Sequence, residues 1–309
     1  MTAKALLMGA LILLAAGVEA GAQTKIRFGF SPSTEFAAAF IAKEQGFFAK
    51  RGLDVEATLI PVSSSFPPAL VNGTMDIGGA TPPLVLQANE GGLDLVVLAG
   101  GGVTNPDVHS AGVVARTGME IKSAQDFVGK TVSAPGLGAT LHILFRRWLM
   151  ERGVDYKKVR FVEIPIPQTS EALKSGAIDA TLVPEPFLTR IVDAKTGYLV
   201  SDYVNELGAG IATVFYASTR AWANANRSTV KAFRDALFEA QEFARLNQAG
   251  TRAAIGAYIK LPPEVLANIL LPTLQPRVTE QQIAYFAQTL FDQDMIKTKP
   301  DPAKVIFQP

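Results

Sequence analysis

The chain has no cysteine, and only two of its 309 residues are histidine, His109 and His142. Without cysteine there can be no disulfide, no thiolate nucleophile and no cysteine-ligated metal. The two histidines do not have the spacing of paired metal ligands, so we expect no metal site and no cofactor. The chain also lacks the G-x-S-x-G pattern of serine hydrolases and complete glycine motifs for nucleotide binding.

An excess of charge of either sign is also missing. The sequence has 29 basic and 28 acidic residues, which gives a net charge of +1. Such a balance creates no overall field that would attract nucleic acid or a membrane surface. We therefore expect neither of them as a partner.

The amino terminus is apolar, but its apolar run is short. Lys4 precedes an uncharged stretch from Ala5 to Ala16, and small residues follow up to Ala20 and Ala22. Spanning a bilayer takes roughly 20 apolar residues, so this pattern predicts a signal peptide over residues 1–22. A lipid anchor would need a cysteine at the cleavage point. We therefore expect a freely diffusing periplasmic protein whose mature chain begins after Ala20 or Ala22.

Two stretches repeat one pattern, A-L-x-x-G-x-x-D. They are "ALVNGTMD" at Ala69–Asp76 and "ALKSGAID" at Ala172–Asp179, and a proline lies 41 residues before the glycine of each, at Pro32 and Pro135. The repeating unit is longer than those of solenoid proteins, and two copies are fewer than a solenoid needs. It predicts two related α/β lobes.

Each copy predicts the order strand, helix, strand, helix, strand. Alternating or β-branched runs at 26–30 and 55–60 in the first copy correspond to 131–134 and 159–164 in the second. This βαβαβ pattern predicts a parallel sheet with right-handed crossovers. The repeated glycine and aspartate are explained by a helix stop and the start of the next strand, with no need for a ligand.

The second copy is bracketed by two short, uncharged, β-prone segments, 111–115 and 213–217. We interpret them as connections between the lobes. The predicted first lobe then comprises residues 23–110 and 214–309, and the second comprises 111–213. The carboxyl-terminal third is mainly helical and is expected to pack outside the first lobe.

Ligands of α/β sheets bind beyond the carboxyl ends of the strands. Four loops have this position, namely 31–35, 63–66, 80–83 and 135–140, and small hydroxyl residues recur in them. Each hydroxyl could simply cap a helix or could also contact a ligand. The candidates from these loops are Ser33, Thr34, Ser64, Ser65, Phe66, Thr81, Pro82, Leu137, Gly138, Ala139 and Thr140.

Two further candidates lie outside these loops. His109 borders the predicted hinge, where it could face the cleft or be satisfied by the backbone. Glu185 stands between two prolines at the end of a buried strand, where it could bind a ligand amine or be a solvated turn charge. No arginine falls in the candidate loops, which argues against a strongly anionic ligand.

At these motifs the chain resembles the periplasmic solute-binding proteins of the nitrate/sulfonate/taurine class of ATP-driven importers. The resemblance is carried by "AAAFIAKEQGFFAKRGLDVE", "ALVNGTMDIGGATPP", "DFVGKTVSAPGLGAT" and "ALKSGAIDATLVPEPF". It implies a two-lobed (type II) periplasmic-binding-protein fold with mixed, mainly parallel sheets flanked by helices, and two hinge strands.

The resemblance also implies a function: a monomer that binds a small organic solute, such as a sulfonate or carboxylate, between its lobes with high affinity and delivers it to a permease in the inner membrane. The start of the second lobe's helix, at Gly138–Thr140, would then hold an anionic head group. In this class the Ser33–Thr34 loop, the Thr81–Pro82 turn and the Gly138–Thr140 helix start would face the ligand, with Phe66 or Leu137 supplying apolar contact. The alternative is an enzyme on the same fold, such as a pyrimidine-precursor synthase or a desulfinase. Both of these enzyme types rely on cysteine, which this chain lacks.

Overall fold

The computed structural model describes residues 23–309, so the predicted signal peptide lies outside the described residues. Two five-stranded mixed sheets form the frame of the molecule, one in each lobe. The strands are β1 (Thr24–Phe30), β2 (Leu53–Leu59), β3 (Ile77–Ala80), β4 (Leu95–Gly100), β5 (Gly102–Val103), β6 (Ala111–Arg116), β7 (Thr131–Ala134), β8 (Arg160–Glu163), β9 (Ala180–Pro184), β10 (Gly197–Ser201), β11 (Phe215–Thr219) and β12 (Thr273–Leu274).

The two sheets have the same topology. The first has the order β2-β1-β3-β11-β4, and the second has the order β8-β7-β9-β6-β10. The first three strands of each sheet are parallel and form the predicted βαβαβ unit. The fourth strand runs antiparallel to its neighbours. The predicted fold class is therefore confirmed.

Helices cover both sheets. They are α1 (Ala37–Glu44), α2 (Phe66–Val71), α3 (Pro82–Glu90), α4 (Thr140–Glu151), α5 (Thr169–Lys174), α6 (Phe187–Asp193), α7 (Tyr203–Glu206), α8 (Arg220–Ala225), α9 (Arg227–Leu246), α10 (Gln248–Tyr258), α11 (Pro263–Asn268), α12 (Glu280–Asp292) and α13 (Pro302–Val305). No helix within residues 23–309 combines the length and the apolar character needed to cross a bilayer.

The carboxyl-terminal helices pack mainly on the first lobe, as predicted. Helices α9 and α10 pack on α1. Helix α12 packs on α3 but also reaches α4 of the second lobe. There the side-chain amide of Gln293 donates to the carbonyl of Ile143 at 2.9 Å. The carboxyl-terminal third therefore joins the two lobes as well as covering the first.

The repeated aspartates have one structural role. Asp76 accepts a hydrogen bond from the backbone N–H of Arg27 at 2.8 Å, and Asp179 accepts one from that of Thr131 at 2.9 Å. Each aspartate thus ties the start of the third strand of its unit to the first strand. The preceding glycines have left-handed φ angles of 71° at Gly73 and 77° at Gly176, which glycine adopts at little cost. The repeat marks architecture, as predicted.

The predicted connections need correction. Segments 111–115 and 213–217 overlap β6 and β11, which are inner strands of the two sheets and so part of the lobes themselves. The chain crosses between lobes just before each of them, where the two crossings pair through backbone hydrogen bonds. Thr104 donates to Ile211 at 2.9 Å and Thr213 donates to Gly102 at 2.9 Å. The predicted lobe limits at 110/111 and 213/214 fall beside this paired hinge.

Candidate functional site

A buried cavity lies between the lobes, at the carboxyl ends of the parallel strands. The room inside it for the centres of water-sized spheres is about 50 Å³. It is lined by Ser31, Ser33, Glu35, Phe36, Ser63, Gly79, Thr81, Ala111, Pro135, Ala139, Thr140, Leu141, Ile166, Pro184, Thr213 and Val214. Both lobes and the second hinge crossing therefore contribute to the cavity.

The two copies of the repeat present equivalent positions to the cavity. In the first lobe Ser63 follows β2 and Thr81 follows β3; in the second lobe Ile166 follows β8 and Pro184 ends β9. Each residue of the second pair is 103 positions after its counterpart in the first, which is also the offset between the repeated glycines. The duplication thus builds the cavity from both sides.

Glu35 is the charged residue among those that line the cavity. It follows β1 at the start of a short helical turn, where the side chain of Ser33 accepts from its backbone N–H at 3.3 Å. The residue is only 4% exposed, and the hydroxyl of Thr213 donates to its Oε2 at 2.6 Å. Burial raises the pKa of this carboxyl from 4.5 to about 7, although the Thr213 hydrogen bond opposes the shift.

The hinge shapes the position of this carboxyl. A Cβ atom at Gly102 would collide with Oε2 of Glu35, so glycine at this point of the first crossing leaves room for the carboxyl in its present position. The second crossing supplies the Thr213 hydroxyl. Glu35 therefore contacts both crossings as well as the cavity.

The remaining polar groups are hydroxyls. Ser31, Ser33, Ser63 and Thr81 come from the first lobe, and Thr140 comes from the second. The Thr140 hydroxyl donates to the carbonyl of Thr213 at 3.0 Å. Thr81 Oγ1 is buried and has no hydrogen-bond partner within the described residues. Because buried polar groups are nearly always paired, this oxygen is available to a bound solute.

Hydrogen bonds between the lobes surround the cavity. The backbone N–H of Ser63 donates to Pro135 at 3.0 Å, and the side chain of Gln87 donates to Gly138 at 2.9 Å. Glu163 of the second lobe accepts from the hydroxyl of Ser64 at 2.9 Å. The lobes are thus in contact on the side opposite the hinge, which is a closed arrangement.

The sequence profile of the NMT1-like family matches residues 19–260. The chain belongs to the NMT1-like family. This assignment agrees with the resemblance found in the four sequence stretches that cover most of both lobes.

Several characterised proteins are similar to this NMT1-like chain. It is 26% identical over 263 residues to the nitrate import ATP-binding protein NrtC of Synechocystis, which covers 77% of this chain and 37% of that protein. It is 25% identical over 286 residues to the bicarbonate-binding protein CmpA of Synechococcus, which covers 84% of this chain and 61% of that protein. The chain therefore spans between about a third and three fifths of the length of these relatives.

Among solved structures, the chain resembles the alkanesulfonate-binding protein SsuA of Xanthomonas axonopodis bound to MOPS. The TM-score is 0.78 at 20% identity, and the match covers 93% of this chain and 99% of that one. At this level of identity the likeness establishes the shared periplasmic-binding-protein fold.

The sequence-predicted site residues fall into three groups in this NMT1-like protein. The first group lines the cavity: Ser33, Thr81, Ala139 and Thr140. The second group makes the contacts between lobes beside it: Thr34, Ser64, Gly138 and Glu185. The third group is absent from the cavity lining: Ser65, Phe66, Pro82, His109 and Leu137.

The third group has identifiable physical reasons for its placement. Phe66 is fully buried in the core of the first lobe, so its ring is not at the cavity surface. Leu137 is 41% exposed and lies away from the lining. Pro82 occupies the first turn of α3 and Ser65 precedes α2, so both serve helix starts. The His109 side chain is 60% exposed and pairs with Asp202.

Glu185 does not line the cavity either. Its carboxylate accepts from the hydroxyl of Thr189 at 2.7 Å, and its backbone accepts from the N–H of Thr34 at 3.3 Å. Burial raises the pKa of this carboxyl, while the Thr189 hydrogen bonds oppose the shift. The structure therefore gives Glu185 a role in joining the lobes near the cavity.

Sequence reasoning missed several lining residues, above all Ser31, Glu35, Ser63, Ile166 and Thr213. The offset of the repeat contained a usable signal, since Ile166 and Pro184 are the counterparts of Ser63 and Thr81. Glu35 lay within a candidate loop but was passed over in favour of its hydroxyl neighbours. Within residues 23–309 no cluster of three His, Cys, Asp or Glu side chains could hold a metal ion.

Proposed function

We propose that this protein is the solute-binding component of an ATP-driven importer. In this proposal it works in the periplasm as a monomer, traps one small solute between its lobes and delivers it to a permease in the inner membrane. The observation that supports this most strongly is the buried cavity at the strand ends, walled by equivalent positions of both lobes.

The location of the cavity supports a mechanism of closure. A solute that touches both walls stabilises only the closed arrangement of the lobes, so binding shifts the population toward that form. The paired crossings at residues 101–104 and 210–214 are the elements about which the lobes would rotate. The hydrogen bonds that Ser64 and Gln87 make to the second lobe, on the side opposite the hinge, would form only on closure.

We propose direct ligand contact for Ser33, Thr81, Ala139 and Thr140, together with Glu35. The start of α4 brings Ala139 and Thr140 to the cavity, where the N–H groups of the first helical turn are without helical partners. The hydroxyl of Thr81 supports the same role because it has a free hydrogen-bonding position.

The relatives support the importer role. One is named for nitrate import, one binds bicarbonate, and the structural neighbour binds alkanesulfonates. The enzyme alternative has weaker support. In the lining formed by residues 23–309, Glu35 is the ionisable side chain, with no lining histidine or lysine to complete an acid–base or nucleophile pair.

The test is a binding screen followed by a check for turnover. Purified protein is heated with nitrate, bicarbonate, methanesulfonate, urea or an aminopyrimidine, and a hit raises the melting temperature. Ligand at about a hundredfold over Kd adds about 2.7 kcal/mol of stability, which is a shift of several degrees. Nuclear magnetic resonance of the hit should then show it unchanged after hours of incubation. A consumed hit would contradict the proposal and favour an enzyme.

A further inference from the structure

We propose that Glu35 selects a small planar solute that carries N–H donors, of the urea, amide or amidine class, and rejects nitrate-like anions. This inference rests on the proposed function and specifies the chemistry of the same cavity. It is drawn from the size of the cavity, the chemistry of its two walls and the position of one carboxyl group.

Size limits the solute first. About 50 Å³ of the cavity is open to the centres of water-sized spheres, which leaves room for a small solute but not for a large one. A solute of about four non-hydrogen atoms matches that space. Urea, guanidinium, nitrate and bicarbonate all have this size and the same planar, three-armed shape.

These four molecules differ in charge and in hydrogen-bond donors. Among the described residues that line the cavity there is no lysine, arginine or histidine, whereas Glu35 is one of them. An anion entering the cavity would lose its hydration beside a carboxylate without gaining a cationic partner. A solute with N–H groups would instead donate to the carboxylate. Nitrate has no donor, bicarbonate has one O–H, and urea and guanidinium have N–H groups on two or three arms.

The geometry of Glu35 leaves capacity for such a donor. Thr213 donates to one oxygen, Oε2, and the Ser110 hydroxyl is close enough to lower the pKa of the carboxyl, which lies against Gly102. An ionised carboxylate has about four acceptor positions, so about two remain for a solute even when both hydroxyls donate. Thr81 Oγ1, buried and unpaired within the described chain, adds a second polar group on the same lobe.

The opposite wall suits the flat face of the same solutes. The second lobe supplies mostly carbon atoms there, from Ala111, Pro135, Ala139, Leu141, Ile166 and Pro184. A planar urea or amidine has polar edges and a weakly hydrated face. Its edges would meet Glu35 and the hydroxyls while its face lies against the apolar wall.

The test compares the four planar compounds by calorimetry with the full-length mature protein at about pH 8, where Glu35 is mainly ionised. We expect guanidinium, at millimolar concentration, to bind most tightly, urea next, and nitrate at least about tenfold more weakly than either. Nitrate binding as tight as that of urea would overturn the proposal. So would the absence of binding by both N–H compounds.

A variant pair ties the selectivity to Glu35. Glu35→Gln should weaken guanidinium binding at least about tenfold and should reduce the discrimination against nitrate. The control is Glu120→Gln, which changes an exposed carboxyl on the second lobe and should leave all four affinities unchanged. If Glu35→Gln does not fold, the ranking of the four compounds on the unmodified protein still decides the matter.

The outcomes keep the two proposals apart. Tight binding of nitrate or methanesulfonate, with closure of the lobes seen by small-angle scattering, would refute selectivity by Glu35 but support the binding function. If nothing in the wider screen binds and no closure occurs, the binding function itself fails.

Discussion

The walls that the two lobes contribute to the cavity come from equivalent positions but differ in chemistry. The first lobe supplies the Glu35 carboxyl and the hydroxyls of Ser31, Ser33, Ser63 and Thr81, beside the ring of Phe36. The second presents mostly carbon atoms, from Pro135, Ala139, Leu141, Ile166 and Pro184. Ser63 and Ile166, and likewise Thr81 and Pro184, are related by the same offset of 103 residues. Duplication therefore preserved the positions that face the solute and changed what stands there.

Residues that hold the backbone were kept in both lobes. Asp76 and Asp179 accept from the first strand of their own units in the same way. A side chain that satisfies the backbone has few substitutes, because an unpaired N–H is costly. A side chain that faces a cavity is constrained only by the solute. This difference explains why the repeat is visible in the turns but not in the site.

The largest expected effect is on the free energy of unfolding, and it comes from Glu35, whose carboxyl makes the two walls of the cavity different. Because burial raises the pKa of Glu35 from 4.5 to about 7, the folded protein holds this proton more tightly than the unfolded chain. Its contribution to the free energy of unfolding should therefore fall as pH rises from 4.5 to about 7 and level off above that. Over this pH range the contribution of Glu35 to the free energy of unfolding should fall by about 3 kcal/mol in total. Thermal denaturation of the unmodified protein and of Glu35→Gln across this range measures it without adding a candidate solute.

The difference between the two denaturation curves is the quantity to use. On the second lobe, burial lowers the pKa of His142 to about 3, so this residue gives a slope of opposite sign between about pH 3 and 6.5. Tyr216 is a titratable group that interacts electrostatically with Glu35. It is buried with a raised pKa and stays neutral across this pH range. A difference that does not change with pH would mean that Glu35 is not buried as described.

The second largest effect is also on stability, and it tests whether Asp76 and Asp179 have equivalent roles in their lobes. Asp179→Ala removes the acceptor for the N–H of Thr131, and Asp76→Ala removes that for Arg27, so each should cost about 2 kcal/mol. Asp76 also pairs with the half-exposed guanidinium of Arg27, and Asp179 pairs with that of Arg116 at 3.8 Å; each pair adds at most about 1 kcal/mol. Thermal denaturation provides the measurement.

Asparagine is the matched control for these aspartates, since it keeps an acceptor oxygen of the same reach. Asp179→Asn should retain most of the stability that Asp179→Ala loses. A loss of less than about 0.5 kcal/mol in both alanine variants would show that the shared residues do not hold the strands together.

Much of the fold could be predicted from the sequence because local rules decide it. The strand predicted at 131–134 is β7, and the strand predicted at 159–164 is β8 to within a residue at each end. Alternation, glycine stops and the repeat sufficed for these elements. The sheet position of β6 and β11 could not be obtained in this way. Their antiparallel pairing joins residues far apart in sequence, so both appeared to be simple connections.

The site was predicted at the level of loops and not of side chains. All four candidate loops contribute to the cavity, because the carboxyl ends of parallel strands meet at one edge. Within a loop, however, the direction of each side chain depends on a tight turn. Ser33 and Glu35 line the cavity while Thr34, between them, bonds through its backbone to Glu185. Phe66 was misplaced for the same reason.

The third effect compares the two walls directly. Thr81→Val removes an unpaired hydroxyl from the polar wall at constant shape, and should weaken binding of the tightest of the four planar compounds about tenfold. Ile166→Val removes one methylene from the apolar wall and should weaken it by about threefold. Calorimetry on both variants measures the difference. Equal losses of affinity in the two variants would mean that the polar and the apolar wall contribute equally to binding.

The smallest effect concerns the contact that joins the lobes across the mouth. Glu163 accepts from the Ser64 hydroxyl and from the backbone N–H of Leu137, and both bonds are solvent-exposed. Glu163→Ala should therefore weaken ligand binding only about threefold, mainly through faster dissociation, because the closed form loses one exposed bond between lobes. Glu171→Ala, an exposed carboxyl elsewhere on the second lobe, is the control. Stopped-flow dissociation rates that are equal in the two variants would show that this contact does not hold the lobes shut.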